Sequence, residues 1–203
     1  MSLVEKKPDI ISPEEYLETE LDREVKHEYM DGHIYSMAGA SKKHNIISGN
    51  IFRELSNHLK GKKSSCTTFS SDMKLKLSKK TNSFFYPDVM VVCDKNDDDY
   101  YQNSPIIIVE VLSKSTRKND SSTKMIRYFN CPTLEEYVLI EQDFCLIQVF
   151  RKKDNWLSTH YLAGDKITFQ SIDVTLTVED IYYQVDNEDM IQYLQEKQTA
   201  QEK

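Results

Sequence analysis

The sequence predicts a single domain of mixed α/β or α+β class, with a central mixed sheet flanked by helices. Three observations carry this. Ile46, Ile47, Ile51, Leu55 and Leu59 recur at helical spacing. Short apolar or alternating runs such as "IIIVEVL" (106–112) have the length of strands. Helical and strand-like segments interleave along the chain in the order α-β-β-α-β-β-β-α-β-β-β-α.

In chain order, "SPEEYLETEL" supplies Ser12 as N-cap, Pro13 at the first helical position and Glu15 three residues on, so a helix starts near residue 13. "VKHEYMDGHIYSMAG" reads as a hairpin turned at Asp31-Gly32. A helix follows from Ser41 to about Lys60, with Gly61 as its stop. "TTFSSDMKLKL" alternates with period two and reads as one strand, with Asp72 on its polar face; "FFYPDVMVVC" reads as the returning strand. "DKNDDDYYQNS" is a polar loop, and "IIIVEVL" a strand buried on both faces. A helix over 121–130, capped by Asp120 or Ser121, is stopped by Cys131-Pro132. "EYVLIE" is a strand, 144–164 a hairpin turned at Lys153-Asp154-Asn155, and "VTLTVEDIYYQV" leads into a C-terminal helix. One domain over 1–190 and a polar, frayed tail over 191–203 are expected.

An apolar content of 39% with 29% charged residues is that of an ordinary globular domain. No run is long enough to span a membrane and no signal segment opens the chain, so a cytoplasmic protein is the expectation. The initial "MSL" has the look of an expression remnant. Cys93 and Cys145 lie in apolar runs and are expected as reduced core residues. Net charge is −7, yet residues 53–80 carry eight basic against two acidic groups and residues 113–131 five against one. Such a basic centre between acidic ends can hold a phosphate backbone, or can simply be solvated lysines. There is no Gly-rich phosphate loop, zinc spacing or Gly-x-Ser-x-Gly.

The residues that ask for chemistry are Asp88 and Glu110, each a charge in an otherwise apolar strand. If those strands are neighbours, two carboxylates converge, and a hard cation such as Mg²⁺ offsets their repulsion. The alternative is that each caps a turn or pairs with a lysine.

The pieces "HEYMDGHIYSM" (27–37), "SKKHNIISGNI" (41–51), "YPDVMVVC" (86–93), "PIIIVEVLSKSTRKND" (105–120), "KMIRYF" (124–129) and "EEYVLI" (135–140) resemble, in order, the Uma-two family of restriction-endonuclease-like proteins in the PD-(D/E)XK nuclease superfamily. The resemblance implies a restriction-endonuclease-like fold with added N- and C-terminal hairpins, and a metal-dependent DNA endonuclease using Mg²⁺, or Mn²⁺ in its place. It implies Asp88 and Glu110 as metal ligands. The superfamily's lysine, two residues after the glutamate, is Leu112 here. The Uma-type variant implies Lys124 from the following helix instead, with Lys114 and Lys118 as rivals. On that reading Lys124→Ala leaves the fold largely intact. Glu28, His44, Asp72 and Asp120 are further candidates, and Tyr128 is read as packing beside Lys124. Lys74, Lys76 and Arg117 are the expected DNA contacts. Double-strand cleavage needs two sites, so a homodimer is expected. The competing reading is a catalytically inactive nucleic-acid-binding or assembly module on the same fold, favoured by the net charge of −7.

Overall fold

The computed structural model describes residues 10–77, 82–94, 98–113, 117 and 120–201. Helix α1 (Pro13–Glu20) begins at Ser12, whose hydroxyl accepts the Glu15 N–H. The hairpin β1 (His27–Met30) and β2 (His33–Ser36) turns at Asp31 and Gly32, both at positive φ. Helix α2 (Lys42–Gly61) is capped by Ser41. Gly61 remains helical. The chain leaves the helix at Lys63, φ 51°, where Ser64 N–H closes onto the Leu59 carbonyl and satisfies a terminal acceptor without a glycine.

The two long strands expected over 67–77 and 84–93 are each broken in two. β3 (Thr67–Ser70) pairs with β6 (Val89–Val92), and β4 (Lys74–Lys76) with β5 (Ser83–Phe85). Both breaks fall at one level, at the Ser71–Met73 turn and at Tyr86–Asp88. Pro87 has no N–H to donate, so the ladder fails there. The kinked pair passes from one sheet into another. The first sheet has the order β2-β1-β5-β4-β7, where β7 is Tyr101–Gln102. The second has the order β11-β10-β9-β8-β6-β3, with β8 (Pro105–Leu112), β9 (Glu136–Glu141), β10 (Ile147–Arg151) and β11 (Ser158–Tyr161). β8 runs antiparallel to β6 and parallel to β9, so the main sheet is mixed.

The expected helix over 121–130 begins as a π-helical turn, Asp120–Lys124, and continues as α3 (Met125–Phe129). A small hairpin, β12 (Lys166–Phe169) and β13 (Val174–Thr177), leads into α4 (Val178–Ile181). Helix α5 (Glu188–Gln201) takes in most of the stretch expected as a polar tail. The result is the mixed α+β architecture read from the sequence.

Two cores flank the main sheet. Ile47, Ile51, Leu55 and Leu59 of α2 pack with Val89, Val91, Ile107, Val109 and Val111. On the other face, Ile108, Leu112, Met90 and Leu139 pack with Tyr128, Tyr137 and Phe85. Strand period two therefore sends Glu110 to the face shared by Ile108, Leu112 and α3. Cys145 is buried and free, as expected. Cys93 is not: it is bonded to Cys66. Thr67 and Val92 are partners in the β3–β6 ladder, so the residues just beyond them, Cys66 and Cys93, face each other. That pairing was not visible in the sequence. No described helix is long and apolar enough to cross a membrane.

Candidate active site

Asp88 stands where the kinked strand enters the main sheet. Its Oδ2 accepts the Val111 N–H at 2.7 Å, replacing the acceptor that the broken ladder cannot supply. In return, the Asp88 N–H points to Glu110 Oε2 at 3.4 Å. The two acids are thus neighbours, each satisfied by the strand that bears the other.

Five more side chains close on them. His44, in the first turn of α2, brings Nε2 to 3.1 Å from Asp88 Oδ2. Its Nδ1 is buried and makes no hydrogen bond among the described residues. Burial disfavours the charged ring, but Asp88 outweighs it and the histidine pKa is raised. Lys124 projects its ammonium from the π-helical turn to 2.6 Å from Glu28 Oε1, 3.2 Å from Asp120 Oδ1 and 3.5 Å from Glu110 Oε1. Burial works against that charge too, yet Glu110, Glu28 and Asp120 together hold the lysine above its usual value. Tyr128, one turn on, donates its hydroxyl to Glu110 Oε1 at 2.9 Å.

Glu28 is only 7% exposed, because β1 lies beside the bend; its Oε1 also faces the Tyr86 N–H at 3.4 Å. Burial raises its pKa, against the opposing pull of Lys124. The Glu110 carboxyl is pushed well up, first by burial, with Asp120, Asp88 and Glu28 adding to the shift and Lys124 resisting it. Among the described residues, four acids here face one lysine and one histidine.

Leu112 is 3% exposed and part of the core beside Tyr128, so the superfamily position for lysine is filled by packing. The π-helical geometry carries Lys124 to the acids instead; such turns recur at functional sites. Asp120, expected as a cap or as a further site residue, faces Lys124, and its Oδ1 makes no hydrogen bond among the described residues. Asp72 is not brought here: it lies on the exposed β3–β4 turn, ion-paired with Lys26. Lys114 and Lys118 fall outside the described residues. Glu28 and Tyr128 are the members the sequence ranked low. The π-helical turn and the docking of the hairpin, neither of which has a local signature, bring them in.

The expected DNA contacts are spread out. Lys74 is 6% exposed and sits 5.6 Å from the Tyr86 ring centroid. Lys76 is half-buried, 4.6 Å from the Tyr101 ring centroid. Arg117 pairs with Glu141 and lies over Phe144.

The Uma2 family model, described as "Putative restriction endonuclease", matches residues 13–179. This chain belongs to the Uma2 family. The uncharacterized protein slr1290 of Synechocystis sp. (strain ATCC 27184 / PCC 6803 / Kazusa) is 38% identical over 176 residues, 85% of this chain and 91% of that one. The uncharacterized protein sll1609 of the same organism is 33% identical over 160 residues, 76% and 89% of the two chains. A crystal structure of "a putative nuclease belonging to DUF820 from Anabaena variabilis ATCC 29413" superposes with a TM-score of 0.71 at 16% identity, covering 85% of this chain and 97% of that one. At that identity the likeness is one of fold, and the fold is nuclease-like.

The residues present fit a hard cation. Asp88 and Glu110 offer oxygen donors side by side, and the cluster carries excess negative charge. Among the described residues no group of three or more His, Cys, Asp or Glu side chains is arranged to hold a metal. The fit is therefore to an ion that takes one or two carboxylates and completes its shell with water, as Mg²⁺ does.

Proposed function

We propose that this protein is a metal-dependent endonuclease that hydrolyses phosphodiester bonds in DNA. The observation that carries the reading is that Asp88, at the strand break, and Lys124, at the end of the π-helical turn, both meet Glu110 of β8. Asp88 and Glu110 would hold Mg²⁺ or Mn²⁺. Bound there, the ion would make a water more acidic and offset the charge that builds on the phosphate.

The chain's own groups do the rest. Glu28 and Asp120 anchor the Lys124 ammonium within reach of Glu110. That donor orients the attacking water or stabilises the developing negative charge. His44 holds the Asp88 carboxylate from the other side. The DNA backbone is positioned by basic groups, which supply affinity more than sequence information.

The test is nicking of supercoiled plasmid in Mg²⁺, with EDTA and Glu110→Ala as controls. Cleavage in Mg²⁺ that both controls abolish is expected. Cleavage that persists in Glu110→Ala refutes the assignment.

A second reading has its own support. Lys124 already neutralises part of the acid cluster, Lys74 and Lys76 lean on aromatic rings, and the net charge is −7. These favour an inactive nucleic-acid-binding or assembly module on the same fold. Salt-dependent DNA binding without cleavage at any metal concentration identifies it.

A further inference from the structure

Tyr128 is wholly buried, and its ring needs no hydroxyl to stay where it is. It meets Phe85 edge-on at 5.5 Å and tilts against Tyr137 at 5.3 Å, contacts a phenylalanine makes equally well. A buried phenol is costly unless its O–H is bonded, and here the acceptor is Glu110 Oε1 at 2.9 Å.

Glutamate has three side-chain torsions, and its terminal one is broad. Something must fix it if its carboxylate is to serve as a ligand. The other donors to Glu110 are weaker holds: Lys124 at 3.5 Å and the Asp88 N–H at 3.4 Å. We propose that Tyr128 is a positioning residue, whose hydroxyl fixes the Glu110 carboxylate in the orientation that binds the cation. This rests on the two-carboxylate cation site proposed above. Lys124 and Tyr128 are four residues apart, so one helical segment delivers both the ammonium and the phenol to Glu110.

The test is Mn²⁺ affinity, read as free Mn²⁺ by electron paramagnetic resonance, in five proteins: wild type, Tyr128→Phe, Tyr137→Phe, Glu110→Gln and the double variant Glu110→Gln with Tyr128→Phe. Removing a partner that orients a metal ligand weakens binding about tenfold or more. That loss is expected for Tyr128→Phe, with metal-free melting and near-ultraviolet dichroism little changed. The Tyr137 hydroxyl donates to the Asp120 backbone carbonyl at 3.0 Å, so Tyr137→Phe removes a neighbouring buried phenol without touching Glu110. It should bind Mn²⁺ as wild type does. In Glu110→Gln, adding Tyr128→Phe should cost nothing further.

Equal affinity in wild type and Tyr128→Phe overturns the positioning role and leaves the cation site standing. So does the same loss in Tyr137→Phe, or a full tenfold loss in the Glu110→Gln background. A wild-type protein that binds no Mn²⁺ removes the cation site itself, and the role with it.

Discussion

Replacing Lys124 with methionine keeps most of the side-chain stem and deletes the charge. The reading that the resemblance implies expects a lysine exchange here to spare the fold, because the carboxylates hold the ion. The structure reverses that expectation. Lys124 is 6% exposed and faces three buried carboxylates, Glu28, Asp120 and Glu110, at 2.6, 3.2 and 3.5 Å. Removing one partner from a buried ion pair costs about 3–5 kcal/mol, because the remaining charge is left uncompensated. For a chain of this size, 1 kcal/mol moves the melting temperature by about 2–4 °C. Lys124→Met should therefore melt roughly 6–20 °C below wild type in EDTA. Calorimetry and urea unfolding both read this. Protonation of the acids limits the loss, so adding Glu28→Gln to Lys124→Met should recover part of it. If the cation site is real, Mg²⁺ at about 100 times its dissociation constant should return about 2.7 kcal/mol. A single variant within about 1 kcal/mol of wild type would show that the ammonium does not offset this acid cluster, and the electrostatic account of the site would fall.

Two further outcomes are expected. DNA binding should weaken with salt, and Lys76→Gln should lower the salt slope by about one if that half-buried lysine meets a phosphate, whereas Lys74→Met should leave the slope unchanged because Lys74 is buried; equal effects at both positions in filter-binding titrations would refute this division. The Cys66–Cys93 bond closes a loop with a sequence separation of 27, so its reduction should cost about 3–4 kcal/mol on the chain-entropy view; unfolding curves that coincide with and without reductant would contradict it.

The sequence carried the local signals well and the long-range ones poorly. Ser12, Ser41 and the Asp31-Gly32 turn were readable because a cap or a tight turn is written in three or four adjacent residues. Asp88 and Glu110 were readable because a charge in an apolar run is anomalous wherever it lies. The kink shared by β3–β4 and β5–β6 was not, although Pro87 marked one of its two breaks. Period-two alternation continues across the bend, and nothing in it says that the sheet changes. Glu28 shows the same limit. An acid beside a hairpin turn is usually exposed, and only the docking of β1 next to Tyr86 buries it. Tyr128 could be matched to Lys124 by its spacing, but the hydrogen bond to Glu110 depends on how the π-helical turn sets α3 against β8.

The acids and the lysine also differ in when they are made. Glu28 belongs to the first sheet and Glu110 to the second, and Lys124 reaches both. During synthesis, every carboxylate of the cluster leaves the ribosome before the Lys124 ammonium. A growing chain that ends short of residue 124 holds the four acids without the ammonium that faces Glu28, Asp120 and Glu110. The pocket thus cannot close before residue 124 is made, and a copy that stops short of it carries the negative charges but not the arrangement that would let them act.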